Sequence, residues 1–309
     1  MGKKLLDLNG FRRALASVEW PTLGLLALCY AVWLAAITVV AAWWLPAGIA
    51  LAALMAALHA SLTHEVIHDH PFPGHPAINA AVVWPPLTLA IPFARFRDTH
   101  LAHHTNSVLT DPYDDPESNY LDPAVWETLP APIRTILRIN NTLAGRMAIG
   151  PIVSQIAFMH CDLRQARAGD RRVLPGWLWH IPAAAVVLVI VGYAAMPLWA
   201  YAVAAYLAIS ILKIRTFLEH QAEERAAHRT VIIEDRGPLS WMFLNNNLHV
   251  VHHMHPKVPW YRLPTLYAAN RARYLGRNGG YLYRSYAEVF ARYFLRAKDP
   301  VPHPIFRRG

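Results

Sequence analysis

Seventeen histidines in 309 residues are far more than packing alone explains, and eight of them fall into three tight groups. The first is His64-Glu65-Val66-Ile67-His68, with Asp69 and His70 behind it. The second is His100-Leu101-Ala102-His103-His104. The third is His249-Val250-Val251-His252-His253, with His255 after it. On a helix His64 and His68 are i,i+4 and share a face, so both rings can meet one metal. In each HxxHH group the first and second rings, at i,i+3, are expected to converge. The third is offset toward a neighbouring metal or a different edge. A tetrahedral zinc site takes about four ligands, so eight rings from three segments are a supply for two metals. Isolated His59, His75, His160, His180 and His303 fit ordinary core or surface roles.

Neutral imidazole binds iron, zinc, copper and nickel alike, so ligand type does not select the metal. The surroundings do. All three groups lie just beyond long apolar runs, which sets the metals against a lipid-soluble substrate. Breaking an unactivated C–H bond there needs one-electron and oxygen chemistry, which a cofactor must supply. Zinc has none, so two iron ions with dioxygen as co-substrate are expected. HEVIH also satisfies the HExxH pattern of zinc metalloproteases, with Glu65 as general base. That alternative leaves both HxxHH groups without a task. In an oxygenase, Glu65 instead accepts a histidine N–H and orients its ring, and Asp98 is given the same supporting role.

The elements that must carry these groups follow from the charge map. The chain is 55% hydrophobic and 16% charged, against about 25% charged in soluble domains. Of 29 Lys and Arg, four lie in 1–20, nine in 95–172 and sixteen in 213–309, leaving 21–94 and 173–212 with none. Those gaps hold four apolar runs, each near the ~20 residues a crossing needs: about 21–44, 46–63, 176–194 and 197–214. Turns are expected near 45–48 and 194–197. Even numbers of crossings put every basic block on one face, with both termini cytoplasmic. Residues 76–96 are uncharged until Arg95 but interrupted by Pro76, Pro85, Pro86 and Pro92. They read as a re-entrant or interfacial segment, giving four crossings rather than six. Residues 111–127 form an acidic, proline-rich loop, and 133–160 carry the pattern of an interfacial amphipathic helix. Two cysteines and no CxxC exclude a cysteine-built zinc or iron–sulfur site. The net charge of +9 would allow nucleic-acid binding, but membrane orientation accounts for its distribution better, and no nucleic-acid partner is expected.

With HEVIH at 64–68, HLAHH at 100–104 and HVVHH at 249–253 in this order and spacing, the chain resembles the membrane fatty acid desaturase superfamily over roughly 45–265. The resemblance implies an all-α integral membrane protein. Four transmembrane helices in two hairpins would lie beneath a cytosolic helical cap, formed by 95–172 and 215–309, that holds a diiron site. It implies iron ligation by His64, His68, His100, His103, His104, His249, His252 and His253. A ninth ligand upstream of the last group is implied too, at His220 in RTFLEHQ or at His228 in ERAAHRT. Asn245, Asn246 and Asn247 either support metal-bound water or cap a turn. The implied reaction is oxygen-dependent introduction of a double bond into a lipid acyl chain. Hydroxylation of a lipid, terpenoid or carotenoid C–H bond is the alternative. The longer second box of the superfamily's alkane hydroxylases is not present, and of their NYxEHYG stretch only Glu219-His220 is.

Electrons would come from a separate ferredoxin-, rubredoxin- or cytochrome b5-like donor with its reductase, since neither tail has room for such a domain. The expected location is a bacterial inner membrane. Residues 257–309 hold eleven basic side chains against Glu288 and Asp299. That field can draw in an acidic donor or anionic lipid headgroups.

Overall fold

The computed structural model describes residues 18–105 and 108–306. In chain order the helices are α1 (Trp20–Trp43), α2 (Leu45–Ile67), α3 (Pro76–Val82), α4 (Phe93–His103), α5 (Pro123–Thr128), α6 (Ala131–Asn140), α7 (Leu143–Ala148) and α8 (Gly150–Arg167). They continue with α9 (Val173–Gly192), α10 (Leu198–Thr216), α11 (Pro238–Met242), α12 (His249–Met254), α13 (Leu263–Ala269), α14 (Arg271–Arg277) and α15 (Tyr286–Tyr293). One short parallel pair, β1 (Ile232–Ile233) with β2 (Leu282–Tyr283), sets Ile232 opposite Leu282. Four helices, α1, α2, α9 and α10, are long and apolar enough to cross a membrane, and they overlie the four apolar runs.

The break between the first two runs lies earlier than 45–48. Only Trp44 is extended, and Leu45 already begins α2. Pro46 sits in the first helical turn, where no amide donor is needed. Gly48 permits a close approach to the preceding turn, because a Cβ there would stand 2.8 Å from Ala41 Cα. Residues Ala36–Val40 of α1 wind as a π-helical turn, and the Ile37 carbonyl accepts the Met196 amide at 2.9 Å from the link between α9 and α10.

The most extensive contact among the spanning helices is between α2 and α10. Ala52, Ala53, Ala56 and Ala57 on one, and Ala200, Ala204 and Ala208 on the other, are all buried in one core. Where lipid is as apolar as leucine, association relies on dispersion at close range, which small residues permit.

Residues 83–92, between α3 and α4, are largely irregular, yet Leu87 is buried within the spanning core. Carbonyls of this segment and of Val82 just before it are served by side chains of the surrounding helices. Tyr30 donates to Val82 O at 2.9 Å, Tyr201 to Leu87 O at 2.7 Å and Gln155 to Ala90 O at 3.0 Å. The His180 ring lies 3.1 Å from Leu89 O. Irregular backbone at membrane depth is tolerated where protein satisfies its polar groups.

The segment then returns as α4, which is anchored through Arg95. This fully buried arginine donates to Asp162 of α8 at 2.8–3.2 Å and to Gln165 at 2.6 Å. Trp177 of α9 donates to the same carboxylate at 2.8 Å.

Residues 131–167 form three helices rather than one. Thr142 caps α7 by accepting the Gly145 amide at 3.0 Å, and the chain turns so tightly that a Cβ on Gly145 would sit 1.8 Å from Ile139 O. The apolar stripes are exposed, with Ile133, Ile136 and Ile139 on α6 and Ile152, Ile156, Met159 and Leu163 on α8. That is the pattern of helices lying against an apolar boundary.

Candidate metal centre

Each histidine group rides on the end of a helix that the fold aims at one place. His64 and Glu65 lie in the last turn of α2, and His68 closes it. His100 and His103 end α4 with His104 as its cap, and α12 carries His249, His252 and His253. His220 follows α10. Together these rings form two sets, with ligand nitrogens in each set lying within 4.8 Å of one another: His64, His68, His100, His104 and His252, and His103, His220, His249 and His253.

The sets divide the HxxHH groups differently from the sequence expectation. The first and third rings stay together, and the middle ring crosses to the other set. Helical geometry gives the reason. At ~3.6 residues per turn, position i+4 lies about 40° from i on one side and i+3 about 60° on the other. His100 and His104 therefore face one set while His103 faces its neighbour. His249 and His253 face the second set while His252 points back to the first. The two short helices interlock the sets.

The donor chemistry fits metal cations. Facing Nε2 atoms approach closely: His68 to His100 at 3.1 Å, His104 to His100 at 3.0 Å, His103 to His220 at 2.9 Å and His249 to His220 at 3.1 Å. Nε2 of His64, His252 and His253 is buried without any hydrogen-bond partner. Buried polar atoms are normally paired, so convergent nitrogen lone pairs left unpaired point to a shared cation.

On three rings the opposite edge is held by an oxygen acceptor. His100 Nδ1 meets Glu117 at 3.0 Å, His103 Nδ1 meets Asp115 at 2.7 Å and His249 Nδ1 meets Asn246 Oδ1 at 3.1 Å. Each arrangement places the proton on Nδ1 and leaves Nε2 free to ligate. Asn246 in turn donates to Glu219 at 2.8 Å, and Glu219 pairs with Arg215 at 3.1 Å.

The electrostatics favour neutral rings. Burial, followed by repulsion from neighbouring imidazoles, drives His220, His249, His252 and His253 well below the usual histidine range. Burial and His100 also push His68 down, and they take His104 to about 3. His103 is the exception. Burial opposes its charge, but the Glu117 and Asp115 carboxylates raise it to about 9. Burial works against Glu117 as well, yet His100 and His103 hold it far below the carboxylate range.

Other residues singled out by sequence stand elsewhere. The His228 ring packs against Gly279, apart from both sets. Asp98 lies 3.0 Å from Arg97 and 3.8 Å from Arg95. Asn245 adopts a left-handed turn conformation and donates to Trp260 O at 3.1 Å, while Asn247 donates to Ile233 O at 2.6 Å. Of the three asparagines, only Asn246 touches a ring in either set. Glu65 accepts the Trp260 amide at 3.1 Å and stands 3.9 Å from His64 Nδ1. The HExxH pair thus sits in a five-imidazole set, which is not the site of a zinc protease.

Asp115 and Glu117 were not anticipated. Their signal was the DPYDDPE run that begins seven residues after His104, and nothing in its spacing says which carboxylate turns inward.

Four apolar helices of membrane-crossing length, together with two histidine sets able to hold metal, define the class as a multi-span membrane metalloprotein. The family model described as fatty acid desaturase matches residues 41–286, and the chain belongs to that family. Among curated relatives, the chain is 26% identical over 217 residues to a beta-carotene ketolase from Paracoccus sp. (strain N81106 / MBIC 01143). That match covers 66% of this chain and 71% of the relative.

Proposed function

We propose that the protein is an oxygen-dependent diiron oxidase that introduces a double bond into the acyl chain of a membrane lipid. The observation that carries this is the pair of interlocked imidazole sets in a chain with four helices of membrane-crossing length. His64, His68, His100, His104 and His252 would hold one iron, and His103, His220, His249 and His253 the other. The bound irons supply the oxygen chemistry that attacks an unactivated C–H bond. The chain's own residues orient and shield. Glu117, Asp115 and Asn246 fix ring tautomers, and the apolar walls exclude water. In balance, dioxygen takes two hydrogens from the acyl chain and two electrons with two protons from a donor, leaving a double bond and two waters.

The ketolase relative favours a second reading, oxygen insertion at a C–H bond of an isoprenoid such as a carotenoid. The two readings share the metal centre and differ in what leaves. Expression in a host supplied with acyl lipids and carotenoids under heavy-isotope dioxygen separates them by mass spectrometry. Products lacking two hydrogens and carrying no label support desaturation. Labelled oxygen in an isoprenoid product supports the second reading. No product of either kind, from protein loaded with iron and a competent donor, overturns both.

In the same proposal the histidine end of the bundle faces the cytoplasm of a bacterial inner membrane, with both termini on that side and a helical cap over the irons. The stretches 21–94 and 173–212, which hold no Lys or Arg, support this orientation. Electrons arrive from a separate ferredoxin-, rubredoxin- or cytochrome b5-like protein and its reductase.

A further inference from the structure

The last described residues run back across the molecule to the acidic loop that follows the second histidine group. Leu121 donates its amide to Val301 O at 3.0 Å, and His303 donates its amide to Leu121 O at 2.8 Å. A second bridge joins Ala297 to Thr142. From this fixed backbone two side chains reach inward by separate routes.

Lys298 donates to the backbone carbonyl of His220 and pairs with Asp299 at 3.0 Å. Asp299 accepts the Tyr120 hydroxyl, and that hydroxyl accepts the Ala222 amide at 2.9 Å. The backbone on either side of Gln221 is therefore tied to neighbouring residues 298 and 299.

The second route passes through His303. The Ile305 amide lies 3.4 Å from His303 Nδ1, which makes Nε2 the donor to Thr110 Oγ1 at 3.2 Å. Thr110 has φ of 70°, a costly conformation for a β-branched residue that persists only where the surroundings over-determine it. Besides His303, its amide donates to Asp115 Oδ2 at 2.8 Å and its carbonyl accepts Ser118 Oγ at 2.9 Å. The other oxygen of Asp115 holds His103 Nδ1 at 2.7 Å.

We propose that residues 297–303 are a latch that positions the second histidine set, acting through Lys298 on His220 and through His303, Thr110 and Asp115 on His103. Both routes end on members of the set completed by His249 and His253. The inference rests on the two-iron reading and adds a division of labour to it: the C-terminal segment governs one metal position more than the other.

The test measures iron per chain on purified protein in detergent, titrated with ferrous iron and desalted, so turnover is not needed. Wild type is expected to retain one iron for each of its two sets. Lys298→Met and His303→Phe should retain the first and bind the second ~10–100-fold more weakly, the usual cost of losing support behind a ligand. His303→Gln keeps a donor at similar reach and should restore the second iron. Melting of each metal-free variant with the wild-type profile shows that the effect is on the site. Because the routes are separate, poor folding of one variant leaves the other to decide. Two irons held with wild-type affinity by both Lys298→Met and His303→Phe overturn the latch alone. Equal weakening of both irons without rescue by His303→Gln overturns it too, as a general loss of structure. Fewer than two irons on the wild type defeats the two-iron reading, and the latch with it.

Discussion

His103 and His220 are 117 residues apart in sequence, and their Nε2 atoms meet at 2.9 Å. One ends the helix that follows the irregular segment 83–92, and the other follows the last spanning helix. Their meeting joins the two halves of the chain at a single set of rings.

Removing either partner should empty that set. His220→Ala is expected to weaken the second iron by more than the ~10–100-fold typical of losing an outer partner, and Asp115→Asn by an amount within that range. His228→Ala and Asp98→Asn should leave the iron content unchanged. Elemental analysis of the purified variants checks this. Iron loss in His228→Ala with none in His220→Ala would reverse the ligand assignment.

The buried Arg95–Asp162 pair locks α4 to α8 and α9. Removing one member leaves an uncompensated buried charge, which costs about 3–5 kcal/mol. Arg95→Met or Asp162→Ala should therefore lower the melting temperature in detergent sharply. Joint replacement, Arg95→Met with Asp162→Leu, should recover much of the loss. Unchanged melting in both single variants would show that the pair does not hold α4.

Tyr201→Phe deletes the donor to Leu87 O while keeping the ring. An unsatisfied buried carbonyl costs about 1–3 kcal/mol, and lipid offers no water in compensation. A lowered melting temperature with intact iron content is expected. A neutral result would mean that segment 83–92 does not depend on this bond.

Orientation is read with single cysteines in a background lacking Cys29 and Cys161. Ala195, exposed in the link between α9 and α10, and Asp114, exposed in the acidic loop, should label from opposite sides of sealed vesicles. Equal labelling from one side contradicts the charge-derived topology.

The basic C-terminal region makes its own prediction. Arg271 is engaged with Glu234 at 2.5 Å, whereas Arg273, Arg277 and Arg284 are exposed on the surface. Reversing these three to Glu should slow donor-dependent turnover severalfold at low salt, with the difference fading at high salt as screening shortens the field. Equal rates in detergent at every salt concentration would leave attraction to anionic lipid as the role of these charges.

Local spacing told much about this protein in advance. Stretches without Lys or Arg marked the four long helices because burying those side chains in an apolar phase is costly. His64 and His68 could be paired on paper because positions four apart share a helix face whatever the rest of the chain does. Tertiary structure decided which neighbours each ring meets. His103 and His252 each leave their own group, because which face of α4 and α12 meets which neighbour depends on how the helices are oriented. The choice of Asp115 and Glu117 from a loop of similar carboxylates depended on which oxygen lies within ~3 Å of a ring. The anchoring of 83–92 by Tyr201 and Gln155 joins residues far apart in the chain. Periodicity is a property of neighbours in sequence, whereas hydrogen bonds and shared metal positions are set by distances that only the packed chain fixes.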